Sequence, residues 1–131
     1  DVTLEIDFRD TRLDTRTRAW TEVEAAIAEI CARRGIRWTL DTISANPPAT
    51  CASALVDTVE HVCRTQDIPS RRMISRAYHD SLFMAQICPT TMIFIPCRDG
   101  VSHRPDEYSS PDEIATGVTV LAHTLSELSQ R

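Results

Sequence analysis

The segment SANPPATCAS, residues 44–53, divides the chain into two parts of different character. Pro47 and Pro48 remove two successive backbone donors and hold the chain extended, which is typical of a connector between domains. Alternating apolar and polar residues mark the part before this segment, whereas apolar helical stripes and a continuous apolar run mark the part after it. The sequence therefore predicts two domains, at residues 1–46 and residues 47–131.

The part before the connector predicts a strand, a helix and a second strand. Residues 2–8, VTLEIDF, alternate strictly between apolar and polar side chains, which indicates a strand with one buried face. A helix is expected over residues 15–34, ended by Gly35, and a second strand over residues 36–43. The buried stripe predicted for the helix contains Trp20, Val23, Ile27, Ile30 and Cys31.

The part after the connector predicts helices around one buried strand. Helices are expected over residues 53–66 and 79–87, and Pro89 stops the second one. The run TTMIFIPC, residues 90–97, is mostly apolar without alternation, as in a strand of a parallel sheet that helices cover on both faces. Together the two parts predict an α/β fold. The side chains expected to be buried by the first of these helices are Leu55, Val56, Val59 and Val62.

A last helix is predicted from its N-terminal signals. Ser110 is the expected N-cap, Pro111 lies in the first turn, and Glu113 completes a capping box. The stripe expected to pack on the sheet contains Ile114, Val118, Leu121, Leu125 and Leu128.

Composition excludes several classes of protein. A net charge of −5 at pH 7 argues against a nucleic-acid partner, because no block of basic residues would neutralise phosphates. No apolar run is long enough to span a bilayer, so no membrane partner is expected. The five cysteines are widely spaced without a C-x-x-C pair, which favours free thiols over a disulfide scaffold or a structural zinc site.

His103 lies in SHRPDE, on the predicted loop after the buried strand. Ligands of open α/β sheets gather at the carboxyl ends of strands, and Gly100 lets the loop turn tightly. A neutral imidazole there could ligate a metal, with Asp106 or Glu107 as a neighbour. A solvated loop histidine fits the spacing equally well.

His79 stands at the start of the predicted helix 79–87, between Tyr78 and Asp80. A neutral imidazole at a helix N-terminus could donate a hydrogen bond to a developing negative oxygen. The same three residues could instead be structural, with Asp80 facing the helix dipole and Tyr78 packing its ring in the core.

Arg9 lies on the polar face of the first predicted strand, beside Asp7 and Asp10. It could belong to a surface ladder of charges. Alternatively, its planar guanidinium could hold the carboxylate of a substrate through two hydrogen bonds.

Two motifs carry a resemblance to a known family. SRAYHDS, residues 75–81, and SHRPDE, residues 102–107, resemble the carboxyl-terminal part of metal-dependent amidohydrolases that remove carbamoyl or ureido groups, within the dinuclear metallopeptidase-like superfamily. Arg76 and Tyr78 stand where bacterial-type members have glycines, so the motif looks like the plant-type allantoate and ureidoglycolate enzymes. The strand sequence DVTLEIDFRD, residues 1–10, favours the ureidoglycolate branch.

The resemblance implies a fold and site roles. Residues 1–46 would be the second half of a ferredoxin-like lid (dimerisation) domain, and residues 47–131 the carboxyl-terminal helix-strand-helix part of the catalytic domain. His103 would be a metal ligand, and His79 would line the substrate pocket and stabilise the tetrahedral intermediate. Tyr78 would recognise the polar group beside the scissile bond.

The remaining implications concern the intact enzyme. Arg9 would reach from the lid of a neighbouring subunit to hold the carboxylate of a small ureido acid, in a homodimer formed through the lids. The reaction would release glyoxylate, ammonia and carbon dioxide from ureidoglycolate. The cofactor would be dinuclear Mn²⁺, with Zn²⁺ as the alternative. The compartment would be the endoplasmic reticulum for a plant-type enzyme and the cytoplasm for a bacterial one.

Two alternatives stay open. The substrate could be allantoate or an N-carbamoyl amino acid, or the chain could be a catalytically silent dimerisation module. The other metal ligands and the general base of the family would precede residue 1. This chain alone is therefore expected to be inactive and to bind no dinuclear centre.

Overall fold

The computed structural model describes residues 1–130 and divides the chain into two compact units. The first unit contains Asp1–Thr50 and Ile74–Tyr78, and the second contains Cys51–Met73 and the chain from His79 onward. The main division therefore lies four residues after the predicted one, and a short segment around Tyr78 rejoins the first unit. The assignment of the units to a lid and a catalytic domain stays a prediction.

The first unit is built around the long helix α1, Leu13–Arg34. It begins two residues earlier than predicted and ends as predicted at Gly35, whose φ of 63° is left-handed. The amide of Gly35 bonds to the carbonyl of Ala32 at 3.2 Å, and that of Ile36 bonds to the carbonyl of Cys31 at 2.9 Å. These bonds satisfy carbonyls that the end of a helix would otherwise leave without partners.

The predicted apolar stripe of α1 is only half-buried. Trp20 packs near the ring of Phe8, with ring centroids 6.3 Å apart. None of the 22 residues of α1, all within the described part of the chain, is fully buried. The first unit is therefore held by a few ring and polar contacts rather than by a closed core.

The α/β prediction is not met, because no residue from 1 to 130 belongs to a hydrogen-bonded strand. The alternating side chains of the first predicted strand stay exposed: Val2 by 87%, Leu4 by 82% and Ile6 by 53%. A pattern of period two shows which side chains would share a face, but a strand also needs a neighbouring strand for its backbone groups. Residues 2–8 and 36–43 have no such ladder among the described residues.

The second unit contains three helices and one short turn. They are α2 at Ser53–Thr65, α3 at Ser81–Met84, a 3₁₀ turn at Arg98–Gly100 and α4 at Pro111–Leu128. Helices α2 and α4 pack against each other. Their contact forms the core of this unit, in which the buried side chains are Val62, Cys63 and Val120, with Val59, Ile68 and Ile93 packed against them.

The start of α4 confirms the predicted capping box. The Ser110 hydroxyl accepts a hydrogen bond from the Glu113 amide at 3.3 Å, and the Glu113 carboxylate accepts one from the Ser110 amide at 2.7 Å. These bonds from the Ser110 backbone and hydroxyl lower the pKa of Glu113. The cap is therefore strongest above the ordinary pKa of a glutamate and weakens as acid protonates that carboxylate.

The face by which α4 packs differs from the predicted one. Val120 and Thr124 are buried and Gly117 is half-buried, whereas most of the predicted stripe is exposed. The hydroxyl of Thr124 donates to the carbonyl of Val120 at 2.7 Å, so this polar group is buried with its hydrogen bond satisfied. The exposed apolar residues of the predicted stripe are Ile114 (48%), Val118 (59%), Leu121 (49%) and Leu125 (58%).

Gly117 decides how the apolar run after Pro89 packs. A Cβ at this position would overlap with Cγ2 of Ile95, so only glycine lets that side chain lie directly against α4. Ile93, two residues earlier in the run, packs on the core of the same unit. Phe94, between them, is 46% exposed. Helices therefore cover the run on one side, and the prediction of a strand covered on both faces is not confirmed within the described residues.

Two further features of the described chain bear on its class. All five cysteines are free thiols, and only Cys63 is fully buried. No helix within residues 1–130 is long and apolar enough to cross a membrane.

We expect the substitution Gly117→Ala to destabilise the second unit. The added methyl group must displace Ile95, and overpacking of this kind costs about 1–3 kcal/mol, whereas the helix propensity of alanine returns about 1 kcal/mol. The free energy of unfolding should therefore fall by up to about 2 kcal/mol, measured by urea titration with circular dichroism.

The matched control is Thr119→Ala on the exposed side of the same helix, which should change stability by less than about 0.5 kcal/mol. If Gly117→Ala instead stabilises the chain, the close contact between α4 and Ile95 is wrong.

Candidate functional site

The structure brings the two predicted histidines together within the second unit. The ring centroids of His79 and His103 lie 5.8 Å apart, with the ring planes at 88° to each other. The His79 ring also packs against Phe94, at 5.6 Å between centroids. His79 is half-buried and His103 is exposed, so the two neighbouring imidazoles differ in their access to solvent.

The loop that carries His103 is closed at its base. The amide of Arg98 donates to the carbonyl of Tyr108 at 2.8 Å, and the guanidinium of Arg98 stacks over the Tyr108 ring at 5.1 Å. The hydroxyl of Ser109 donates to the carbonyl of Pro96 at 2.8 Å. Gly100 takes a φ of 66° inside the loop, as expected for the residue that makes the tight turn. The loop is therefore a defined turn that presents His103.

His103 itself has a left-handed backbone, with a φ of 57°. Such a conformation is costly for a residue that carries a Cβ and persists only when its surroundings hold it. The carboxylate of Glu107 supplies this hold, since it accepts a hydrogen bond from the His103 amide at 2.8 Å. The amide of Glu107 in turn donates to the carbonyl of Arg104 at 3.1 Å.

The two acids after His103 do not act together on its imidazole ring, because each binds a different group. Glu107 binds the backbone of His103, and Asp106 binds the side chain of Arg104 through two contacts of 3.0 and 2.8 Å. The sequence placed both acids near His103 but did not indicate which of them fixes its backbone.

The segment after His79 corrects one prediction. The expected helix 79–87 is a single turn, α3, which begins at Ser81 and ends at Met84. His79 precedes the N-cap Asp80, and its carbonyl accepts from the Leu82 amide at 2.9 Å. One turn has too few aligned peptides for a strong dipole. The packing of His79 against Phe94 and His103, and not a helix dipole, thus defines its environment.

Arg9 and Tyr78 both lie in the first unit. The guanidinium of Arg9 grips the carboxylate of Asp7 through two of its nitrogens, with an Nε–Oδ1 distance of 2.8 Å, and also donates to the backbone carbonyl of Arg76. Hydrogen bonding to Arg9 lowers the pKa of Asp7. Arg9 thus already forms the bidentate contact with a carboxylate that its substrate role would require.

The hydroxyl of Tyr78 accepts a hydrogen bond from the side-chain amide of Asn46 at 2.7 Å. Sequence reasoning missed Asn46, which was taken only as part of the connector. A signal was present, because Asn46 is the one asparagine of the chain and directly precedes Pro47 and Pro48. Arg16 of α1 was also missed, and its guanidinium donates to the carbonyls of Asn46 at 2.7 Å and Ala45 at 3.3 Å.

The residues of this chain do not form a complete metal site. Within residues 1–130 there is no group of three or more His, Cys, Asp or Glu side chains arranged to hold a metal ion. His103, with His79 beside it, could supply one or two imidazoles, whereas a catalytic metal site uses at least three protein ligands. Any dinuclear centre would need most of its ligands from outside these residues.

Comparison with known proteins places this chain in one family. Residues 5–127 match the model of Peptidase family M20/M25/M40. The chain therefore belongs to this family, and the resemblance drawn from its motifs is confirmed at that level.

Relatives within the family narrow the comparison. The chain is 42% identical to a ureidoglycolate hydrolase of Oryza sativa subsp. japonica over 96% of this chain and 26% of the relative. It is 40% identical to a ureidoglycolate hydrolase of Arabidopsis thaliana over 96% of this chain and 27% of that protein. An N-carbamoyl-L-amino acid amidohydrolase of Geobacillus stearothermophilus is 33% identical over 95% of the chain and 31% of the relative. The chain thus spans 26% to 31% of the length of these relatives.

We expect Glu107→Ala to loosen the backbone of His103. Loss of one hydrogen bond to a left-handed residue should speed hydrogen exchange of the His103 amide by roughly threefold to tenfold, measured by NMR on the chain. Asp106→Ala is the control, since Asp106 binds a side chain and should leave that amide unchanged. Equal exchange rates in the Glu107 variant and the parent would show that the carboxylate does not hold this turn.

Proposed function

We propose that the whole protein is a metal-dependent amidohydrolase that cleaves the C–N bond of a ureido group, with ureidoglycolate as its substrate. The observation that carries this proposal is the approach of His79 and His103 to 5.8 Å in a chain that is 42% identical to a ureidoglycolate hydrolase. The products would be glyoxylate, ammonia and carbon dioxide.

The two histidines take different roles in this proposal. His103, exposed at the tip of a fixed turn, is a metal ligand. His79, half-buried against Phe94, donates a hydrogen bond to the negative oxygen of the tetrahedral intermediate. A donor held in place by packing costs little reorganisation when charge develops, which makes it effective in this role. The metal is Mn²⁺, with Zn²⁺ as the alternative, and its remaining ligands come from other parts of the whole protein.

Arg9 holds the carboxylate of the substrate. Its contact with Asp7 supports this role, since a carboxylate already occupies the guanidinium in bidentate geometry. Tyr78 recognises the polar group on the carbon next to the scissile bond. This group is a hydroxyl in ureidoglycolate and a second ureido group in allantoate, so a single phenolic hydroxyl can distinguish the two substrates.

The first unit acts as part of a lid domain through which two copies of the protein form a homodimer. The exposed apolar side chains of Val2, Leu4 and Ile6 support this, because a strand with one apolar face needs a cover and a neighbouring strand. In the whole protein, residues 2–8 and 36–43 would then be paired strands.

The dimer is tested by sedimentation velocity on the full-length protein. The parent should sediment as a dimer, and Leu4→Glu should shift it toward monomer, since a charge would be buried in the contact. The control is Ile87→Glu in the second unit, at a side chain that is also strongly exposed, 78%, and should leave the dimer intact. A monomeric parent at micromolar concentration would rule out the dimer.

The reaction is tested by assaying the full-length protein on ureidoglycolate, allantoate and an N-carbamoyl amino acid. Ureidoglycolate should give the highest kcat/KM. A preference for allantoate or for the carbamoyl substrate would overturn the choice of substrate. Absence of turnover on all three with bound metal present would favour the alternative of a catalytically silent module.

Variants of the full-length protein separate the proposed roles. His103→Ala should lose bound metal, measured by atomic emission, whereas His79→Ala should keep its metal and lose about 10²–10³-fold in kcat. Arg9→Lys should mainly raise KM, by roughly tenfold, because an ammonium cannot form the planar double contact.

Matched controls exist for both residue types. Arg12→Lys changes another exposed arginine that binds the carboxylate of Asp14, and His123→Ala changes an exposed helical histidine; both should leave kinetics and metal content unchanged. If His79→Ala loses its metal, His79 is the metal ligand and the two histidine roles are reversed. If Arg9→Lys leaves KM unchanged, Arg9 does not bind the substrate.

A further inference from the structure

The connector contains a polar network that reaches Tyr78. The side-chain nitrogen of Asn46 donates to the hydroxyl of Tyr78 at 2.7 Å and to the hydroxyl of Ser44 at 3.1 Å. Asn46 is half-buried, although Ser44 and Tyr78 on either side of it are exposed. The amide therefore holds the Tyr78 hydroxyl from within the first unit.

The position of Asn46 is fixed from three sides. Pro47 restricts the backbone of the residue before it to extended conformations. Arg16, anchored in α1, donates to the carbonyl of Asn46 at 2.7 Å and to that of Ala45 at 3.3 Å. The side chain is then held by its bond to Ser44. An amide held in this way can orient a partner, because its own position is not free to adapt.

The direction of the bond matters for the chemistry of Tyr78. A hydroxyl that accepts from an N–H uses a lone pair toward Asn46, so its hydrogen points away from Asn46. The hydroxyl is then biased to act as a donor toward a third group. A hydroxyl whose direction is fixed discriminates between polar groups better than one that can rotate to suit either.

We propose that Asn46 is a positioning residue for substrate specificity, which orients the Tyr78 hydroxyl as a donor toward an oxygen acceptor next to the scissile C–N bond. This inference rests on the proposed function and adds to it a residue outside the two histidine motifs. The connector would thus contribute to recognition as well as joining the two units.

The test uses the full-length protein and the ratio of kcat/KM for ureidoglycolate to kcat/KM for allantoate. Asn46→Ala should lower this ratio by roughly fivefold to tenfold, in the same direction as Tyr78→Phe. In a Tyr78→Phe background, Asn46→Ala should change the ratio less than about twofold, because the hydroxyl through which it acts is gone. Asn46→Asp replaces the donor by acceptors, so the Tyr78 hydroxyl turns its hydrogen toward position 46 and the ratio should fall at least as far.

One control matches these variants. Tyr108→Phe removes the hydroxyl of the other tyrosine and should keep the ratio within about twofold. Thermal unfolding midpoints are compared for all variants. If Asn46→Ala does not fold, Asn46→Asp, which keeps the size of the side chain, decides the question.

Each outcome has a definite meaning. An unchanged ratio in an active Asn46 variant, or a loss that adds fully to that of Tyr78→Phe, overturns the role of Asn46 and leaves the proposed function standing. If the parent cleaves no ureido substrate, the proposed function is overturned and the specificity role with it. If Asn46→Ala lowers the ratio in the parent but not in the Tyr78→Phe background, the result supports both the proposed function and the role of Asn46.

Discussion

The contact between Gly117 and Ile95 positions the apolar run on which the two histidines depend. Because glycine has no side chain at the packed face of α4, the run that contains Ile95 can lie directly on the helix. This places Phe94 on the opposite side of the run, where it packs against His79. The same run leads into the loop of His103, so the close approach at Gly117 contributes to the placement of both imidazoles. A larger residue at position 117 would have to displace Ile95.

The long helices were predictable from the sequence, and the packing face of α4 was not. The bounds of α1 and α2 and the start of α4 agree with the predictions to within two residues, because caps and periodicity are local properties. The predicted face of α4 consisted of large apolar side chains. The structure instead packs Gly117 and Val120, since a close approach favours small residues over large ones. A lone glycine inside a helix was the signal that could have indicated this.

The strand predictions are not confirmed for a different reason. Alternation in residues 2–8 predicts a face, but the ladder that makes a strand depends on residues elsewhere in the sequence or in a partner. The run at 90–97 was correctly read as apolar, but it is only partly buried, and it packs on the helical core without a strand beside it among the described residues. For the site, spacing left His79 and His103 undecided, and only the family resemblance gave them roles. Neither source indicated Asn46, whose contact with Tyr78 joins positions far apart in the sequence.

In the role proposed for Arg9, its exposed pair with Asp7 would keep a binding group ready at low cost. Their side chains are 53% and 65% exposed, and exposed ion pairs contribute little to stability. A substrate carboxylate that replaced Asp7 would therefore lose little in the exchange, while the guanidinium is already in the planar arrangement that it needs. Asp7 would also keep the charge of Arg9 compensated when no substrate is present. Under the proposed function, the neighbouring acid is a placeholder for the ligand rather than a structural salt bridge, and the low strength of the pair is what would allow Arg9 to bind.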